Sequence, residues 1–205
     1  VRALCHGSDA RGPYLVMEYV PGPELAQWLQ GRRPLGKVAR VALQLCRAVG
    51  AVHARGFLHR DIKPENVVLG PGDRAVLCDF GSAREAGSAT FSFSGTADYM
   101  APEQAGPGPA TPQALVRCDL YSLGMSIYEL VAGRLPFESG SSTGVRCLHL
   151  TEDPAPPSAF RPGLPAPADP VLLRAIARDP AARFQTCGEL EEAILSLGLA
   201  ESVEP

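Results

Sequence analysis

No apolar run in this 205-residue sequence reaches the roughly 20 residues a membrane-spanning helix needs. The two longest candidates, 38–52 and 120–132, are broken by Arg40, Arg47 and Glu129. The opening Val-Arg-Ala-Leu-Cys-His lacks the order of a secretory signal, so none is read there. No C-x-x-C pair occurs among the six scattered cysteines, which speaks against a zinc site or a disulfide frame. They read as reduced thiols in a core, and the expected compartment is cytoplasmic. There is no basic excess. A net charge of −3 argues against a surface that coats nucleic acid. Internal repeats are absent, and so is an initial Met, so the sequence reads as a fragment.

What is present is the composition of a globular domain, 45% apolar and 20% charged, with length for one core. Residues 14–20, Tyr-Leu-Val-Met-Glu-Tyr-Val, form a short β-prone run stopped by Pro21-Gly22-Pro23. They predict a buried strand, paired with 1–5 across a polar loop at 7–12. A short helix is predicted over 24–30. Val38, Val41, Ala42, Leu45, Val49 and Val52 recur at helical spacing and predict a long amphipathic helix ending near Gly56. Residues 67–69 and 75–78 predict a β-hairpin around Gly-Pro-Gly-Asp. Leu120, Leu123, Ile127, Leu130 and Val131 mark a second helix ending at Gly133. Residues 139–144 read as mobile, 151–170 as a Pro-rich loop, and 171–177 and 189–197 as two closing helices.

The chain is organised around His59-Arg60-Asp61-Ile62-Lys63-Pro64-Glu65-Asn66. Phosphoryl transfer needs a carboxylate at the attacking hydroxyl and oxygen ligands for Mg²⁺ a few ångströms away. A loop with Asp61 and Asn66 on one side of a turn can supply both. Lys63 lies between them, where an ammonium could steady the moving charge. Two further motifs follow in order, Asp79-Phe80-Gly81 and Ala101-Pro102-Glu103. Singly each is weak; as an ordered set they are specific. The sequence resembles the eukaryotic-like protein kinases over nearly its whole length. It is most similar to the bacterial Ser/Thr kinases, with Lys63-Pro64-Glu65 as the Ser/Thr form of the loop.

The resemblance implies an α+β fold: the helical large lobe of a kinase with a two-strand remnant of the small lobe. It implies a remnant and hinge over 1–20, a large lobe over 21–198 and a tail over 199–205. It implies transfer of the ATP γ-phosphoryl group, with Mg²⁺, to a Ser or Thr of a protein substrate. Asp61 would handle the hydroxyl proton, and Lys63 would touch the γ-phosphate. Asn66 and Asp79 would hold metal. Met17 would be the gatekeeper, the backbone of Glu18, Tyr19 and Val20 would meet adenine, and Val68 would floor the base. Thr96 would link Asp61 and Lys63 to the substrate platform. Asp119 would brace the catalytic loop, and Glu103 would pair with Arg183.

Departures accompany the likeness. Neither a G-x-G-x-x-G loop nor a V-A-I-K strand occurs. A Pro/Gly-rich insert precedes Asp119, and Ala97 stands where Pro is frequent. A pseudokinase or scaffold is therefore the rival reading. A small-molecule phosphotransferase is a second, opposed by the Ala-Pro-Glu and Gly-Thr-Ala-Asp-Tyr motifs. Ser88, Thr90, Ser92 and Ser94 cluster ahead of the platform, with Arg60 able to pair with an added phosphate. That pattern favours regulation by phosphorylation without selecting a residue. His59 is expected to pack behind the loop. His6, His53 and His149 have no partner at metal-ligand spacing, Cys78 reads as a packed small residue, and Pro154 to Pro157 as part of a packed loop. Nothing in the sequence sets an oligomeric state.

Overall fold

The computed structural model describes residues 1–87, 96–105 and 111–201. Ser88, Thr90, Ser92 and Ser94, and most of the insert before Asp119, lie outside them. In chain order the elements are β1 (Ala3–Asp9), β2 (Gly12–Met17), α1 (Leu25–Trp28), α2 (Leu35–His53), β3 (Phe57–Leu58), β4 (Val67–Gly70), β5 (Arg74–Leu77), β6 (Arg84–Glu85), α3 (Pro112–Ala132), α4 (Ser142–Thr151), α5 (Ala168–Ala175) and α6 (Cys187–Ser196). The strands make three antiparallel pairs, β1–β2, β3–β6 and β4–β5. This is a helical lobe with a small strand remnant.

α3 is the axis of the lobe. Thr111 caps its start, Oγ1 accepting from Ala114 N at 3.2 Å, and Pro112 follows where its missing N–H costs nothing. Gly133, at φ 79°, ends it in a left-handed conformation that a side chain would strain. Thirteen of its residues are buried, on all sides, because other helices surround it. Where α5 crosses it, Gly124 has no room for more. A Cβ there would sit 2.9 Å from Ala175 O. α2 is amphipathic. Val38, Val41, Ala42, Leu45, Cys46 and Val49 are buried along one stripe, and Arg40 and Lys37 stay exposed. Gly56, at φ 76°, then turns the chain into β3, its N–H bonding His53 O at 2.9 Å.

Two short sheets hold the loops that follow. β3 pairs with β6, Phe57 opposite Glu85. β4 pairs with β5 in the register Val67↔Leu77, Val68↔Val76, Leu69↔Ala75. The β4–β5 hairpin brings its two ends together, with Cys78 N donating to Asn66 O at 2.8 Å. Asn66 and Asp79, thirteen positions apart in the sequence, are thereby made neighbours.

Three expectations need correction. The strand at 14–20 is not buried: β2 ends at Met17, and Tyr14, Leu15, Val16 and Met17 are all exposed. An apolar run fixes strand propensity, but burial needs a covering layer, and among the described residues β2 pairs with β1 alone. The loop expected at 7–12 shrinks to a turn at Ala10 and Arg11, because β1 runs on to Asp9. Residues 139–144, expected to be mobile, contain a helix start. Ser141 Oγ accepts from Gly144 N at 3.1 Å and starts α4. The cysteines are also divided: Cys46, Cys118 and Cys187 are buried, but Cys5 and Cys147 are exposed.

Candidate active site

The loop between β3 and β4 is fixed from below by a carboxylate of α3. Asp119, 2% exposed, accepts from His59 N through Oδ2 and from Arg60 N through Oδ1, both at 2.8 Å. The loop backbone is not relaxed, since Arg60 has φ 68°, a value that costs a non-glycine residue energy. Two charge-assisted bonds to one buried carboxylate offset that cost. Asp119 takes a third partner, His53 Nε2, at 2.9 Å from Oδ2. His59 lies fully buried behind the loop. Its Nε2 is 3.0 Å from Cys78 O, and its ring meets Phe80 edge-on with centroids 4.8 Å apart.

On the outer side of the loop the functional groups converge. Lys63 Nζ is 2.9 Å from Asp61 Oδ2 and donates to Thr96 Oγ1 at 2.7 Å. Asn66 Nδ2 donates to Asp61 O at 2.7 Å and to Asp61 Oδ2 at 2.9 Å. Thus Asp61 is held in one rotamer by an ammonium and an amide, and Lys63 ties it to the segment carrying Thr96. With its nitrogen committed to Asp61, Asn66 presents its amide oxygen as the end suited to a cation. Asp79 is left-handed at φ 56°, exposed, and among the described residues accepts from Gly81 N at 3.2 Å. Asn66 and Asp79 offer hard oxygen donors at adjoining strand ends. That donor set fits Mg²⁺, which uses one or two carboxylates and takes its other ligands from water and phosphates. Among the described residues no group of three His, Cys, Asp or Glu side chains could hold a metal by itself.

The residues expected to border the nucleotide are less enclosed. Met17 ends β2 and is 44% exposed; Tyr19 is 87% exposed. Glu18 N closes onto Arg2 O at 2.9 Å. Val20 is half-buried against Gly70, and Val68 is half-buried opposite Val76.

Behind the site, Arg183 spends every N–H it has. Nη1 and Nη2 bond Glu103 Oε1 and Oε2, both at 2.8 Å, and Nε bonds Ala177 O at 2.7 Å. The remaining two go to Arg117 O and Arg178 O, each at 3.0 Å. Its guanidinium also stacks 4.7 Å from the Tyr121 ring centroid. A fully buried cation is tolerable only when its donors are met in this way.

Several site neighbours have no signal in the sequence. His53 sits in the last turn of α2, where it reads as one more helix-end residue. Tyr99 OH donates to Glu129 Oε2 at 2.7 Å, and Ser122 Oγ donates to Tyr99 O at 2.8 Å, fastening the segment after Thr96 onto α3. Burial raises the Tyr99 phenol and, separately, the Glu129 carboxyl above their usual ranges. Each pair joins residues far apart in the chain, so no local pattern could announce it.

The protein kinase domain family matches residues 5–187. Serine/threonine-protein kinase PknB of Mycobacterium tuberculosis is 36% identical over 200 residues, 94% of this chain and 31% of the relative. Serine/threonine-protein kinase Pkn1 of Myxococcus xanthus is 38% identical over 201 residues, 93% of this chain and 28% of its own length. A probable serine/threonine-protein kinase of Streptomyces coelicolor is 37% identical over 186 residues, 87% of this chain and 27% of its own. The chain thus spans under a third of the length of the curated relatives it matches. With one domain profile covering most of it, and with named Ser/Thr kinases alike along nearly all of it, the chain belongs to the protein kinase domain family.

Proposed function

We propose that this chain supplies the phosphotransfer machinery of a protein Ser/Thr kinase, which moves the ATP γ-phosphoryl group to a protein hydroxyl. The observation that carries the reading is the Asp61–Lys63–Asn66 cluster, with Asp79 brought alongside by the β4–β5 hairpin. The Asp61 carboxylate, with Oδ2 held by Lys63 and Asn66, would accept or orient the proton of the attacking Ser or Thr hydroxyl. Lys63, between Asp61 and Thr96, would place positive charge where the phosphoryl group passes. Asn66 Oδ1 and the Asp79 carboxylate would hold Mg²⁺, which when bound neutralises phosphate charge and aligns the group for in-line transfer. Glu18 to Val20 and Val68 would border the adenine, with Met17 at its edge.

A second reading, a non-catalytic scaffold of kinase fold, has one observation in its favour. The sequence contains no Gly-rich loop and no strand Lys to hold the α- and β-phosphates. One experiment separates the two. The protein is assayed with ATP, Mg²⁺ and a generic protein substrate, as residues 1–205 and within the complete reading frame that encodes it. Asp61-dependent transfer by the longer form, with none by residues 1–205, is the expected result. Absence of transfer from both, with normal folding, favours the scaffold.

A further inference from the structure

Behind the catalytic loop, a line of polar contacts leads outward from Asp119 to the first residue of α6. Asp119 Oδ2 meets His53 Nε2 at 2.9 Å, and the other ring nitrogen of His53, Nδ1, lies 3.8 Å from Cys187 Sγ. Cys187 opens α6, and its place there is fixed. Thr186 Oγ1 caps the helix by accepting from Glu189 N at 3.1 Å. One turn on, Glu191 Oε1 accepts from Arg47 Nε of α2 at 2.6 Å. α2 makes room for Cys187 at Gly50, where a Cβ would stand 3.3 Å from the Cys187 Cβ. Cys187 and Asp119 are both buried, at 5% and 2% exposure.

The chemistry of the partners assigns the hydrogens. A carboxylate only accepts, so the hydrogen between His53 and Asp119 belongs to Nε2. In a neutral imidazole Nδ1 is then an acceptor, and the donor that faces it is the Cys187 thiol. Burial pushes that thiol up to about 12, so it keeps its hydrogen at neutral pH. S–H is a weak donor, and what it supplies here is direction more than energy. The ring is held at both nitrogens, with Nε2–H aimed at Asp119 Oδ2. Asp119 in turn takes His59 N and Arg60 N, both at 2.8 Å, and Arg60 carries the strained φ of 68° next to Asp61.

We propose that Cys187 is a positioning residue of the catalytic loop, acting through His53 and Asp119 on the backbone that carries Asp61. Its value for catalysis rests on the phosphotransfer reading; its hold on the loop does not. The rival explanation makes Cys187 one more small side chain filling the core. Cys46 of α2 is the comparison: it is 1% exposed, and among the described residues it makes no hydrogen bond with His53.

Amide hydrogen exchange of residues 1–205, read by NMR, tests the hold on the loop. Cys187→Ala should speed exchange of the His59 and Arg60 amides at least about threefold relative to amides in the middle of α3. Cys187→Ser, which keeps a donor, should speed it less. Cys46→Ala removes a buried thiol of the same size and should leave the ratio unchanged. His53→Gln should loosen the same two amides, and adding Cys187→Ala to it should change nothing further, because the effect runs through the ring. Within the complete reading frame, Cys187→Ala should lower kcat about two- to tenfold and leave KM for ATP unchanged. Circular dichroism checks that each variant folds; if Cys187→Ala does not, Cys187→Ser carries the comparison. Equal ratios in Cys187→Ala and Cys46→Ala, or additive effects of His53→Gln and Cys187→Ala, overturn the proposal. So would loosened amides with an unchanged kcat in an active form. Loosened amides in a longer form that transfers no phosphate would refute the phosphotransfer reading and leave the hold on the loop standing.

Discussion

At the scale of single residues, Asp61 is the group whose environment is most specific to one task. It is largely shielded, held at Oδ2 by Lys63 Nζ at 2.9 Å and Asn66 Nδ2 at 2.9 Å. Replacing it with Ala removes proton handling and little packing. In a catalytically competent form, Asp61→Ala should lower kcat by ~10²–10⁴ and leave the melting temperature within about 2 °C. Turnover near that of the unaltered protein would remove Asp61 from the mechanism. His149 offers a different residue-scale test. It is buried, Tyr121 OH lies 2.7 Å from its Nδ1, and burial lowers its pKa to about 4. Because the folded-state value lies below the ordinary 6.5, the unfolded chain takes up the proton first. The contribution of this group to stability is whole above pH 6.5 and is lost as pH falls from there toward 4. Over that window it amounts to about 3 kcal/mol. Unfolding free energies measured across it should fall less steeply in His149→Phe than in the parent; equal slopes would refute the assignment.

Between elements, the decisive link is Glu103–Arg183. It ties the segment after Thr96 to the turn before α6, and through Arg117 O to the first turns of α3. Arg183 is fully buried and Glu103 is partly buried, its side chain 19% exposed. Loss of either partner strands the other charge, and such losses run to ~3–5 kcal/mol. Arg183→Met and Glu103→Gln should each destabilise strongly, and their double-mutant cycle should give a coupling above about 1 kcal/mol. Additivity within error would mean that the pair is incidental. The neighbouring Cys118 Sγ, 3.4 Å from Glu103 Oε1, belongs to the same cluster, and burial holds its thiol well above the usual range. It is a packed small residue there and not a nucleophile.

For the molecule as a whole, the core and the catalytic loop form one unit, and the β1–β2 hairpin stands apart from it. The contiguous core begins at Leu25 and includes no side chain of β1 or β2. Leu4, Leu15, Val16 and Met17 are instead 40% to 54% exposed. A two-stranded ribbon without a covering layer is marginal, and an exposed apolar patch invites association. In residues 1–205, amides of β1 and β2 should therefore exchange with solvent orders of magnitude faster than those of α2 and α3. Light scattering should show concentration-dependent self-association that Leu15→Lys with Met17→Lys, on one face of β2, reduces. Slow exchange in the hairpin of a monodisperse sample would contradict this account.

Much of the protein is legible in the amino-acid order because the deciding physics is local. Helical periodicity set α2 and α3, and the turn residues Gly56, Gly70 to Asp73 and Gly133 set where elements stop. The Asp61–Asn66 spacing lies within one loop, so its geometry follows from five peptide bonds. The order of the motifs was enough to identify the family. Tertiary structure alone decided the rest, because it depends on what lies opposite. Val16 and Val49 are equally apolar, yet one is in solvent and one has no exposure, since only α2 is packed against other helices. His53 became a brace because α3 delivers Asp119 to it from 66 positions away. Arg32, Arg33 and Arg161 look like surface charges until the chain returns, 128 residues later, to put Arg161 against Arg33 O. Periodicity encodes which face of an element is apolar, and only the closed fold determines what that face meets.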